Sequence, residues 1–154
     1  DRVEASTYQA LEALGASGIP VIMVTGRSSG FGHAMLKMTP VPVVVTENGG
    51  VTFVRKGKKL EKIYGVPPAS LPEWRRRMND IVAEVTAKVP GARLSSDSKY
   101  REVDLAIDWN EEVSLGSEAA DTIVSMIRKS RSNKWPRRRA RLKCGEPRFR
   151  AGMI

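Results

Sequence analysis

The chain has 154 residues, enough for one ordinary domain or a small domain with part of another. No apolar run reaches membrane-spanning length, the N-terminus lacks the basic-then-apolar pattern of a signal peptide, and the single cysteine, Cys144, excludes an internal disulfide. These features point to a reducing compartment, the cytoplasm.

The formal net charge of +9 is unevenly spread. Of 26 basic and 17 acidic residues, nine bases and one acid lie in 131–154. Residues 1–130 keep 17 bases and 16 acids, a net of +1, and so have no electrostatic reason to seek a polyanion.

Residues Asp1 to Leu14 read as a helix, with Thr7, Ala10, Leu11 and Leu14 on one face. Gly15 and Gly18 should end it. Ile19 to Val24 is an unbroken apolar run, the pattern of a strand buried on both faces of a parallel sheet. It stops at Thr25-Gly26-Arg27, where a hydroxyl, a backbone without side chain and a guanidinium follow one another. In open α/β sheets ligands bind beyond the carboxyl ends of strands. Ser28 and Ser29 can cap a following helix whose inward side would be Phe31, Ala34, Met35 and Met38. Thr25 to Ser29 should therefore lie at a strand end and a helix start together, a place suited to an anion. His33 lies in that helix with no second histidine or nearby cysteine, so a metal role is not expected.

Pro40 and Pro42 stop the helix, and Val43 to Val45 reads as a second buried strand ending in Thr46-Glu47-Asn48-Gly49-Gly50. Val51–Val54 and Leu60–Tyr64 then form a hairpin around a basic turn at Arg55–Lys59. The prolines of Val66-Pro67-Pro68 mark a boundary. Beyond it Trp74, Met78, Ile81, Val82, Val85 and Val89 define an amphipathic helix ended by Pro90-Gly91. Arg93 to Asp97 reads as a strand. Glu102 to Trp109 alternates, with Val103, Leu105, Ile107 and Trp109 on one side and Glu102, Asp104, Ala106 and Asp108 on the other, the antiparallel kind of strand. Ser114 starts a last helix carrying Leu115, Ala119, Ile123, Met126 and Ile127 inward. The expected division is 1–66, 67–130 and a basic tail, 131–154. The tail has no apolar period and two readings compete for it: a disordered arm that binds nucleic acid, with Trp135 and Phe149 for stacking, or translation in a shifted frame of a GC-rich gene.

Val24-Thr25-Gly26-Arg27, a second Val-rich strand, Glu47-Asn48-Gly49, a hairpin and then an α+β unit together resemble the haloacid dehalogenase (HAD) superfamily, in particular its Cof-type or IIB group of sugar-phosphate phosphatases. The resemblance spans roughly residues 1–130. It implies an α/β fold: a partial Rossmann-like core with an inserted α+β cap made of an antiparallel sheet and two helices. It implies a Mg²⁺-dependent hydrolase of phosphate monoesters working through an aspartyl-phosphate. On this pattern Thr25 hydrogen-bonds the phosphoryl group, Gly26 and Arg27 bind phosphate, and Glu47, Asn48 and Gly49 stand at the mouth of the site. Glu102, Asp104 and Asp108 would offer carboxylates to sugar hydroxyls if the open side of their strand faces the site; an acidic solvent-facing strand is the alternative. The family's nucleophile motif is expected upstream of Asp1, and its metal motif has no match after Ser130, so the chain is expected to be a fragment with no metal ligands of its own and little or no turnover. A non-catalytic phosphosugar-binding or nucleic-acid-binding protein is the other class.

Overall fold

The computed structural model describes the backbone of residues 3–134 and 142–144, with side chains for 3–130. The described chain is mixed α/β and divides into two compact units: Asp1–Pro72 with Lys99–Val103, and Glu73–Ser98 with Asp104–Ile154. The boundary falls at Pro72, six residues beyond the expected one, and the short stretch Lys99–Val103 belongs to the first unit.

The first unit holds helix α1 (Ala5–Ala16), strand β1 (Ile22–Val24), helix α2 (Ser29–Met38) and strands β2 (Val43–Thr46), β3 (Val51–Lys56) and β4 (Lys59–Tyr64). The sheet order is β1-β2-β3-β4. β1 and β2 run parallel, and the other neighbours are antiparallel. Gly57, at φ 60°, lets β3 and β4 join through a two-residue turn, tighter than the expected five-residue one. The core is Met35, Leu36, Val41, Val44, Val51, Phe53 and Val103.

Three expectations are corrected here. β1 is not buried on both faces: Ile19, Ile22 and Val24 are 53%, 57% and 71% exposed. Among the described residues it lies at the edge of the sheet, with β2 as its one neighbour. α1 begins at Ala5, passes through Gly15 and closes at Ser17–Gly18, and it contains no buried residue. Leu11 touches the core, whereas Leu14 is exposed. In α2 the inward residues are Ser29, Gly32, Met35 and Leu36, while Phe31 and Met38 are exposed. The face is turned by one residue, about 100°, because Gly32 is pressed onto the sheet. A Cβ there would stand 2.0 Å from Thr46 Cγ2, so only glycine permits this approach.

The second unit contains most of α3 (Leu71–Lys88), strands β5 (Arg93–Leu94) and β6 (Leu105–Asp108), helix α4 (Gly116–Lys134) and strand β7 (Leu142–Cys144). Its core joins Met78, Ile81, Val82, Val85 and Val89 to Leu105, Ile107, Trp109, Ile123 and Ile127, so the predicted helix faces are in place except for Trp74, which is half-buried and outside this core. β5 and β6 pair antiparallel, but β6 and β7 pair parallel, so the sheet is mixed and not purely antiparallel. Val103 was expected beside Leu105; it is instead part of the first unit's core, because the strand does not begin until Leu105. α4 and β7 extend described structure into the stretch read as a tail. Trp135 and Phe149 lie outside the described residues.

Candidate functional site

β1 delivers Thr25 to the carboxyl end of the sheet, where its N–H donates to Val45 O at 2.9 Å. The chain then turns sharply. Arg27 N–H donates to Thr25 Oγ1 at 3.1 Å. That bond uses the hydroxyl as an acceptor and leaves its own hydrogen as a donor. Ser28 follows in extended conformation as the residue before α2, and its side chain makes no capping hydrogen bond. Thr25 to Ser29 thus stands at a strand end and a helix start, as its composition predicts.

The turn after β2 meets the same loop. Glu47 N–H donates to Arg27 O at 3.0 Å. Glu47, Asn48 and Gly49 have φ of 49°, 57° and 91°, three left-handed residues in succession. Such a conformation in a glutamate costs about 1–3 kcal/mol and persists only where contacts hold it. Its carboxylate supplies them. Glu47 is 3% exposed and accepts from three backbone donors: Ser29 N–H at 2.8 Å, Glu102 N–H at 2.9 Å and Val103 N–H at 2.6 Å. Glu47 therefore is not an open ligand at the mouth of a site. It ties the start of α2 to the segment Lys99–Val103 and occupies the helix donor of Ser29. Asn48 is half-buried and Gly49 is exposed beside it.

Ser29 and Glu102 add a second fastening. The Ser29 hydroxyl lies 2.9 Å from both Tyr100 O and Glu102 Oε1. Lys62 Nζ donates to both Glu102 oxygens at 3.0 Å, and the Tyr64 hydroxyl donates to Oε2. Burial pushes the Glu102 carboxyl up, but the hydrogen bonds from Tyr64, Lys62 and Ser29 outweigh it and hold the group below the usual carboxylate range. Tyr64 is raised by its bond to Glu102 and by burial. For Lys62 burial pulls down, and the contacts with Glu102 and Tyr64 more than offset it.

The three carboxylates proposed for sugar recognition separate. Glu102 belongs to the first unit and is paired with Lys62. Asp104 and Asp108 belong to the second and are 2% and 4% exposed, so the open acidic face is corrected to a buried one. Asp108 accepts from Glu111 N–H at 2.8 Å and Glu112 N–H at 3.1 Å, and Arg93 Nε stands 3.6 Å away. It organises a turn. Burial pushes its carboxyl up, yet those donors and Arg93 bring it below the ordinary value.

Arg101 was missed by sequence reasoning. It is 8% exposed, and Nη1 donates to Gly26 O at 3.2 Å. A lone arginine ahead of an alternating strand carries no signal of such a contact, since 75 residues separate the partners. His33 lies against Phe53, ring centroids 5.7 Å apart. Among the described residues no three histidine, cysteine, aspartate or glutamate side chains come together to hold a metal ion.

The site so defined is a strand-end loop with the Thr25 hydroxyl as donor and the Arg101 guanidinium on the Gly26 carbonyl, set in a mixed α/β unit. No family model matches the chain, and no curated protein matches it. No helix among the described residues is long and apolar enough to cross a membrane.

Proposed function

We propose that this chain is part of a HAD-type phosphatase of the Cof-type or IIB group, with Thr25, Gly26 and Arg27 holding the phosphoryl group of a monoester, a sugar phosphate by resemblance. The observation that carries this is the Thr25 hydroxyl, which accepts from Arg27 N–H and keeps its hydrogen for an oxyanion at the strand end. Division of the chain into two compact units, Asp1–Pro72 with Lys99–Val103 and Glu73–Ser98 with Asp104–Ile154, supports a reading as core and cap. The single Cys144 supports a reducing location, the cytoplasm.

The family's attacking aspartate has no counterpart on β1 or β2, whose residues are Ile-Met-Val and Val-Val-Val-Thr. Nor do the described side chains fit Mg²⁺: no three histidine, cysteine, aspartate or glutamate side chains come together among them, and Glu47, whose N–H donates to Arg27 O, has its carboxylate committed to three backbone donors. This chain's own part in the chemistry is to bind and orient. Thr25 donates to a phosphoryl oxygen, and Arg27 offers a charge-assisted fork beside it.

Isothermal titration with inorganic phosphate tests the reading. The chain is expected to bind, and Thr25→Ala to weaken binding several-fold. Equal affinity in both proteins disproves the loop's role. Turnover of p-nitrophenyl phosphate with Mg²⁺ is expected to be absent. Turnover that Thr25→Ala abolishes would show that this chain carries the attacking group after all.

A further inference from the structure

We propose that Arg101 is a positioning residue of the phosphate loop, holding the Gly26 peptide by its carbonyl oxygen and adding a second positive charge to the anion site. This rests on the phosphate-binding reading of Thr25–Arg27.

The first observation is the contact itself. Arg101 Nη1 reaches Gly26 O at 3.2 Å, with the arginine more than nine-tenths buried. Gly26 lies between the two residues assigned to phosphate. A peptide carbonyl facing a bound anion repels it. A guanidinium on that oxygen fixes which way the peptide points and offsets its negative end, and the effect is stronger out of water.

The second observation is how firmly the arginine is held. Its neighbours in the chain are fastened to the elements that carry the loop. Tyr100 O lies 2.9 Å from the Ser29 hydroxyl. The N–H groups of Glu102 and Val103 end on Glu47, which also binds Arg27 O through its own N–H. The Glu102 side chain is held by Lys62, Tyr64 and Ser29. A surface arginine needs no such framework. Here the residues on both sides of Arg101 are pinned to β4, the start of α2 and the turn after β2, and the side chain between them ends on the loop.

The test uses the full chain and inorganic phosphate. Arg101→Met is expected to weaken phosphate binding at least tenfold, Arg101→Lys to recover part of it, and millimolar methylguanidinium to restore binding to the methionine variant. A purely structural role would lower the unfolding midpoint without rescue by the added cation. Wild-type affinity in Arg101→Met, with Thr25→Ala still impaired, overturns this proposal and leaves the loop's reading intact. No binding by the wild-type chain overturns both. Should Arg101→Met fail to fold, the guanidinium N–H resonances of the unaltered chain decide. The Arg101 signal is expected to shift on adding phosphate together with that of Arg27, and an unmoved Arg101 signal overturns the proposal.

Discussion

Helices α1 and α3 each carry an apolar face in sequence, a weaker one on α1, and have opposite fates in the fold. α3 buries Met78, Ile81, Val82 and Val85, whereas α1 buries nothing. The neighbouring strands repeat the contrast. β6 keeps Leu105 and Ile107 at 2% and 1% exposure, while β1 leaves Ile22 and Val24 more than half exposed. Periodicity states which residues would go inward if a partner layer were opposite. It does not supply the layer.

The strongest way to break this comparison is to remove buried volume on each side of it. Ile123→Ala, at a residue with 0% exposure, is expected to cost about 2–5 kcal/mol in urea unfolding, whereas Leu14→Ala, at an exposed position of α1, should cost less than about 0.5 kcal/mol. Equal costs would mean that α1 packs as tightly as α4. Next in size is Glu47→Ala, which leaves the N–H groups of Ser29, Glu102 and Val103 without their acceptor. We expect a loss of about 3 kcal/mol, with Glu47→Gln keeping part of it through its carbonyl oxygen. Gly32→Ala follows at about 1–3 kcal/mol, since Thr46 Cγ2 occupies the space its methyl group needs. A cost near zero would place α2 further from the sheet.

The pH dependence gives a smaller effect. The Asp108 carboxyl lies below its ordinary value in the folded chain, so the folded state binds fewer protons than the unfolded one in acid. Its contribution is fully present above the unfolded value near 3.9 and is lost as pH falls through the folded one. Asp108→Asn should flatten the acid limb of a stability profile, and an unaltered limb would remove Asp108 from its causes. Smallest of all is Glu73→Gln. Hydrogen bonds from Arg76 and Arg77 hold that carboxyl at about 2, yet its side chain is exposed. The unfolding midpoint at moderate salt should not move measurably.

Much of the second unit was legible because its helices are long and meet a core. Met78, Ile81, Val82, Val85, Ile123 and Ile127 were all identified from spacing alone. The first unit was legible in its punctuation: the strand end at Thr25, the helix after Ser28, the hairpin around Gly57. It was misread in its exposure, because an apolar run has the same pattern at an edge as at the centre of a sheet. The α2 face was misread by one position, since a glycine contributes no apolar signal though it makes the closest approach to the sheet.

The site divides along the same line. Thr25, Gly26 and Arg27 stand together in the chain, and local turn chemistry is enough to bring the hydroxyl to the Arg27 N–H. Glu47 was singled out, but its purpose was not, because the donors of Glu102 and Val103 come from more than fifty residues away. Arg101 and the Glu102 cluster had no local sign at all.

What the amino-acid order determined by itself is short-range: which segments coil, where they stop, and which residues share a loop, all set by steric and hydrogen-bonding preferences within a few residues. The tertiary structure alone decided which apolar faces are covered and which charged side chains end on the Thr25–Arg27 loop. Burial and long-range pairing depend on what arrives from elsewhere in the chain, and no local preference encodes that arrival.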